Sequence, residues 1–307
     1  MKQTFDTKLR LNKANKAQLE TVNEIIEDYQ EQGYKLTLRQ LYYQLVSRDV
    51  IPNNVKEYAK LSNLLKKGRM AGVVDWGAIE DRIRVPKLPY WVYDIPDALN
   101  DTVQTYRLNR QKDQDYYIEL WVEKDALSGV LQRKTSYYHI NLMVNRGYSS
   151  VTAMYDAYKR IENACKPSII FYLGDHDPSG LDMVRDIRDR LKDFGLTYFD
   201  PYILKKDIVK WSDPAFTIKH IGLTWDQIQQ YNPPPNPAKL SDPRAKDYVN
   251  KYGNTSWEVD ALNPSILHQL IDDEVLSVMN EDRFNEQIKK EEKDKKKLSK
   301  ISEGFGE

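Results

Sequence analysis

Apolar residues in the first quarter of the chain recur at helical spacing. Leu19, Val22, Ile25, Ile26 and Tyr29 mark one face of a helix over residues 14–32, and Gly33 follows as its stop. Thr37 is placed to cap a second helix over residues 38–46. Pro52 and Asn53-Asn54 interrupt the chain, and a third helix runs over residues 55–69 with Tyr58, Leu61, Leu64 and Leu65 apolar. Val73-Val74-Asp75-Trp76 and Ile79 then read as a short extended wing before Arg82-Ile83-Arg84. Three short helices followed by a small strand pair predict a winged-helix (α+β) domain over residues 1–84.

The pattern then changes from spaced positions to continuous runs. Tyr117 to Val122, Ile140 to Val144 and Ser168 to Leu173 are short apolar stretches of the kind buried on both faces of a parallel sheet. Each is followed by a helical pattern; after the third, Leu181, Val184, Ile187, Leu191 and Phe194 mark one face. Residues 197–204 supply a fourth strand. This alternation predicts an α/β domain with a mostly parallel sheet over residues 116–283, including a C-terminal elaboration. Residues 85–115, rich in Pro, Tyr, Asp and Asn, read as a linker with one helix near 97–107. Farther on, Asn232-Pro233-Pro234-Pro235-Asn236-Pro237 reads as a polyproline-like spacer, Trp257 to Leu262 as a strand-like piece and residues 264–279 as a helix. Residues 284–307, with Lys289-Lys290-Glu291-Glu292-Lys293, read as a mixed-charge tail, frayed or disordered.

Composition narrows the class. The 307 residues suffice for two cores, and 40% hydrophobic with 30% charged residues is ordinary for a water-soluble chain. No apolar run approaches the ~20 residues that span a bilayer, so no membrane partner is expected. The N-terminus lacks the apolar core of a signal peptide. A lone Cys165 excludes an internal disulfide framework and fits a reducing, cytoplasmic setting. Lys+Arg and Asp+Glu both number 46, so any phosphate binding must come from a local basic face.

The chemistry is carried by strand ends. Gly174-Asp175-His176-Asp177-Pro178-Ser179-Gly180 closes the third run, which puts two carboxylates at the carboxyl edge of a buried strand, where open α/β sheets bind ligands. Residues two apart in extended chain project to the same side. Two carboxylates about 4 Å apart repel by roughly 4 kcal/mol at an effective dielectric near 20, which a hard divalent cation would offset. The alternative is structural: an Asp after a strand often caps the next helix. Glu123 closes the first run on the same edge and supplies a third carboxylate.

One Glu followed by a D-x-D, with the turn Asn145-Arg146-Gly147 between them, resembles the Toprim domain. Val122-Glu123-Lys124-Asp125-Ala126, the turn at 174–180 and Arg39-Gln40-Leu41-Tyr42-Tyr43 in the preceding domain together resemble the topoisomerase VI A subunit and its meiotic double-strand-break relative, in that order, over roughly residues 35–200. The resemblance implies a Rossmannoid Toprim-like domain behind a winged helix. It also implies a homodimer acting on double-stranded DNA, in which Tyr43 attacks a phosphodiester to form a 5′-phosphotyrosyl link. Arg39 would lower the phenol pKa or hold the phosphate, and Glu123, Asp175 and Asp177 would hold Mg²⁺, with phenol and acids drawn from different protomers. Lys66, Lys67 and Arg69 are backbone-contact candidates beside Arg39. His176 in the middle of the D-x-D, the segment after Tyr43 and the turn at 145–148 depart from the family pattern. Strand passage in the family needs a separate ATPase subunit, and no Walker A run is present here. Tyr42 shares a stripe with Leu38 and Leu45 and reads as core, whereas Tyr43 falls off that stripe with its hydroxyl free to face outward. Two alternatives stand beside this reading: a Toprim nuclease that uses metal-activated water, and a non-catalytic winged-helix DNA-binding protein.

Overall fold

In the computed structural model, which describes residues 2–6, 11–80, 89–145, 147, 149–199 and 214–303, the chain opens with three helices. Asn12, Thr37 and Asn54 each accept a hydrogen bond from a first-turn backbone N–H, which fixes the starts of α1 (Lys13–Glu31), α2 (Leu38–Ser47) and α3 (Val55–Met70). Thr37 and Gln40 form a reciprocal capping box. Leu19, Val22, Ile25, Leu41, Leu45 and Leu61 are fully buried where the three helices meet.

The strand pair expected after α3 does not form among the described residues. That segment makes single bridges, Leu36 with Ile79 and Thr4 with Ala71. Asp75 Oδ1 accepts from the Gly77 N–H at 2.7 Å, and Arg69 donates to the Trp76 and Ile79 carbonyls at 2.8 and 2.7 Å. These bonds fold the segment onto α3 instead of leaving its backbone free to pair. Arg82-Ile83-Arg84 lie outside the described residues.

After α4 (Ile95–Thr105), the expected α/β alternation follows: β1 (Tyr117–Val122), α5 (Ser128–Tyr138), β2 (Asn141–Val144), α6 (Val151–Ala164), β3 (Ser168–Leu173), α7 (Pro178–Asp193), β4 (Thr197–Tyr198) and β5 (Ala215–Gly222). Every neighbouring pair is parallel and the order is β2-β1-β3-β5-β4. β4 is shorter than expected within the described residues, and residues 200–204 lie outside them. Alternate residues serve opposite faces: Ile118, Leu120, Ile169 and Phe171 pack with α5, and Trp121, Ile170 and Tyr172 with α6 and α7.

The remaining elements are α8 (Trp225–Tyr231), β6 (Asn236–Pro237), α9 (Ala245–Tyr252), β7 (Thr255–Ser256), α10 (Pro264–Val278) and α11 (Glu281–Glu303). The end of the proline run pairs antiparallel with β7. α10 joins the sheet core through Leu267, Ile271 and Val275. The run read as a charged tail is mostly α11, which packs along α4. Its Glu291 is buried, accepts from the Leu108 N–H at 3.0 Å and pairs with Arg110 at 3.1 Å, so one acid inside a lysine-rich stretch anchors the helix. No helix among the described residues is long and apolar enough to cross a membrane.

Candidate functional site

The chain leaves β1 for β2 on one side of the sheet and returns to β3 on the other, so the strand order reverses between β1 and β3. In open α/β sheets the ligand crevice lies outside the carboxyl ends at that reversal. Glu123 follows β1, and Asp175 and Asp177 follow β3. The register carries past the strand ends, since Glu123 N–H donates to the Leu173 carbonyl at 3.1 Å. The Glu123 side chain turns toward the aspartates: Oε2 lies 3.4 Å from the Asp175 N–H. Gly180 is required for the turn, because a Cβ there would come within 2.2 Å of the Asp175 carbonyl oxygen.

The three acids differ in what holds them. Asp175 is 7% exposed; Oδ1 accepts from the Val259 N–H at 2.9 Å and Oδ2 pairs with Lys124 at 2.8 Å. Asp177 caps α7, with Oδ1 accepting from the Gly180 N–H at 2.6 Å and the Ser179 hydroxyl at 2.9 Å. Asp177 and Glu123 form no salt bridge among the described residues, although the charge of Lys124 acts on Glu123. Burial, and then the charge of Asp177, raise the Glu123 pKa above the usual carboxylate range.

Three residues that the sequence reading passed over complete the cluster. Lys124 Nζ contacts Glu258 at 2.7 Å and Asp260 at 3.1 Å as well as Asp175. Arg39 pairs with Glu258 through Nη2 and reaches Asp260 at 3.1 Å through Nε. Burial works against the charge on Lys124, yet Asp260, Asp175 and Glu258 outweigh it and raise its pKa. Burial likewise raises Asp175 and Asp260, whereas Lys124 and Arg39 overcome burial at Glu258 and hold it ionised. Three carboxylates, Asp175, Glu258 and Asp260, thus gather about two cations, with Glu123 and Asp177 on the same edge. The signal for the missed pair was present, since Glu258-Val259-Asp260 has the same spacing as the D-x-D.

His176 explains how this segment reaches the edge. Its backbone pairs with Trp257 in both directions, at 2.8 and 3.1 Å, and its 1%-exposed ring bonds the Tyr248 hydroxyl at 2.9 Å among Trp225, Tyr252 and Trp257. Burial lowers its pKa, so it serves as a neutral packing residue. It pins the Glu258–Asp260 turn to the D-x-D.

That turn also receives α2. Ala261 enters the core of the three N-terminal helices, and Arg39 crosses from α2 to Glu258 and Asp260. The Arg39 guanidinium lies 3.4 Å from the Tyr43 hydroxyl. Tyr43 does not face outward: it is 4% exposed, against 5% for Tyr42, because the Glu258 segment covers the second face of α2. Burial and then the charge of Glu258 raise the Tyr43 phenol pKa, and Arg39 opposes them. A cavity of about 320 Å³ is lined by Arg39 together with Glu123, Lys124, Asp125 and Asp260, so the helix bearing Tyr43 and the acidic edge border one space.

The basic candidates separate. Lys66 and Lys67 are exposed near the end of α3, whereas Arg69 is occupied by the Trp76 and Ile79 carbonyls and stacks 5.2 Å from the Trp76 ring. Arg146 and Tyr148 of the intervening turn lie outside the described residues. No group of three His, Cys, Asp or Glu side chains among the described residues is arranged to hold a metal ion. Of the three acids expected to hold a metal, Asp175 is taken by Lys124, while Glu123 and Asp177 act on each other by charge and form no salt bridge among the described residues. Among known proteins, no family model matches the chain and no curated protein matches it.

Proposed function

We propose that this chain is a magnesium-dependent DNA-cleaving enzyme of the topoisomerase VI A type, acting as a homodimer on double-stranded DNA, with an N-terminal winged-helix-like unit and a Toprim-like sheet. One observation carries the reading: Glu123, which forms no salt bridge among the described residues, lines a crevice at the sheet's reversal point that Arg39 of the Arg-x-x-Tyr-Tyr run also borders, and the charge of Asp177 acts on it from the same edge.

The Tyr43 oxygen attacks a backbone phosphorus; a tyrosyl–phosphate bond to the 5′ side forms, the bond to the 3′ oxygen breaks, and that oxygen departs as a hydroxyl once protonated. A free phenol is about one part in a thousand ionised at neutral pH, and burial with Glu258 suppresses ionisation further in the DNA-free chain. Arg39 faces the phenol and is placed to favour the phenolate or to hold the phosphate. Glu123 and Asp177 would hold Mg²⁺, which supplies charge stabilisation for the phosphoryl oxygens and the leaving oxygen. Within one chain Arg39, Glu258 and Lys124 stand between Tyr43 and Asp175 in an unbroken series of contacts. In the proposed dimer Tyr43 serves the acidic edge of the second copy.

The test is incubation with supercoiled plasmid and Mg²⁺, then detergent and protease, with protein-linked breaks as the readout. Tyr43→Phe removes the covalent adduct and the breaks. Mixing Tyr43→Phe with Asp177→Asn restores nicking to a fraction of wild type, because one of the two composite sites in a mixed dimer is intact. Failure to restore it sinks the cross-protomer arrangement.

A second reading rests on the burial of Tyr43 and its raised pKa: the same edge hydrolyses DNA with water while Tyr43 packs α2. Nicking retained by Tyr43→Phe, without a covalent adduct, selects it.

A further inference from the structure

Another cavity, of about 500 Å³, opens beside Tyr43, and the cleavage chemistry makes no use of it. Its charged lining residues, Arg39 and Glu258, neutralise each other, so it offers no net cation for a phosphate. What it offers is aromatic. Tyr42 meets Tyr43 and Tyr58 edge to face, with ring centroids 5.4 and 5.3 Å apart, and all three border the space.

It also offers one unanswered donor. The Tyr42 hydroxyl donates to Asn53 Oδ1 at 2.9 Å, and Asn53 Nδ2 donates to the Pro235 carbonyl and to Asn236 Oδ1, each at 2.8 Å. The series ends at Asn236, a residue that lines the cavity and whose Nδ2 is buried with no acceptor, so a ligand reaches that donor only as the side chain turns toward it. A buried amide donor without a partner costs about 1–3 kcal/mol, so an occupant that supplies an acceptor is favoured. Val55, 85% exposed, stands at the rim as a bare apolar wall.

We infer that this cavity takes up one unpaired nucleobase of the DNA, next to the phosphodiester that Tyr43 attacks. The inference rests on the DNA-cleavage reading and names a contact which that reading lacks. A planar base stacks on the tyrosine rings and accepts from Asn236 Nδ2. Adenine N3 and thymine O2 both present an acceptor on the minor-groove edge, so the cavity reads a displaced base without choosing its identity. A base drawn out of the stack leaves the adjoining backbone open to the phenol, at the cost of unpairing that is least where the base already lacks a partner.

The test uses the full chain without Mg²⁺ and two duplexes, one with a single unpaired 2-aminopurine and one with the same base paired. Wild type binds the unpaired duplex about tenfold more tightly, the worth of one stacked base, and quenches its fluorescence. Asn236→Ala reduces that preference several-fold. Val55→Trp, at a position exposed enough to accept the larger ring, fills the rim and lowers the unpaired duplex to the affinity of the paired one. Equal binding of the two duplexes by wild type, or a preference that survives Val55→Trp, overturns the base site and leaves the cleavage reading standing. Binding to neither duplex overturns both.

Discussion

The acidic edge has two halves that share a backbone and differ in charge balance. In one, Asp175, Glu258 and Asp260 are drawn onto Lys124 and Arg39, with a backbone N–H from Val259 as well. In the other, Glu123 and Asp177 form no salt bridge among the described residues, and burial with the charge of Asp177 outweighs the opposing charge of Lys124 at Glu123. The first half ties the Glu258–Asp260 turn and α2 to the sheet, so its cost of desolvation is offset by charges the protein itself supplies. The second half is left in a state that an external cation would relieve. Buried ion pairs built this completely hold architecture together, and the incompletely balanced pair is where binding is to be sought.

The largest way to break this contrast is Lys124→Met. It strips the ion-pair partner from Asp175 and one of two from Glu258 and Asp260, and removing one partner of a buried ion pair typically costs about 3–5 kcal/mol. Urea unfolding of the DNA-free chain checks it; a loss below about 1 kcal/mol would mean that the paired half is not structural. Asp177→Asn acts on the other half with the opposite profile. Asparagine caps a helix as well as aspartate does, so α7 and the urea midpoint hold nearly constant. Mg²⁺ binding by calorimetry falls at least tenfold, and plasmid cleavage goes with it. If Mg²⁺ binding persists, Glu123 and Asp177 are not the holders.

Much of the α/β half was legible because β1 and β3 are mostly apolar runs, broken only by Glu119, with acidic residues just past their ends, which places Glu123, Asp175 and Asp177 on one edge. β5 was passed over because Lys219 and His220 break its apolar run late, although Ala215, Phe216 and Ile218 are buried. The contact of Arg39 with Glu258 spans 219 positions, and nothing local in either segment announces it. Arg69 illustrates the reverse error: its place in a basic run suggested a phosphate contact, but two backbone carbonyls within ten residues take its guanidinium. Likewise the helical repeat of α2 identified Tyr42 as core correctly and left Tyr43 outside, because the surface that covers Tyr43 comes from the far end of the chain.

The smallest effect is the most direct reading of the unbalanced pair. Glu123 has its pKa raised in the folded chain by burial and by Asp177. A carboxyl whose folded pKa exceeds its unfolded value binds protons more tightly when folded, so stability is lost as pH rises from the ordinary glutamate range through the folded pKa, and the loss is complete above it. Glu123→Gln removes that loss. The variant therefore matches wild type near pH 4 and exceeds it at pH 7, by less than about 1 kcal/mol for a partly buried charge. Saturating Mg²⁺ stabilises wild type at pH 7 and leaves the variant nearly unmoved. Urea midpoints at the two pH values, each with and without Mg²⁺, decide the matter: a variant less stable than wild type at pH 7 would show that Glu123 is held by the fold and not kept in reserve for a cation.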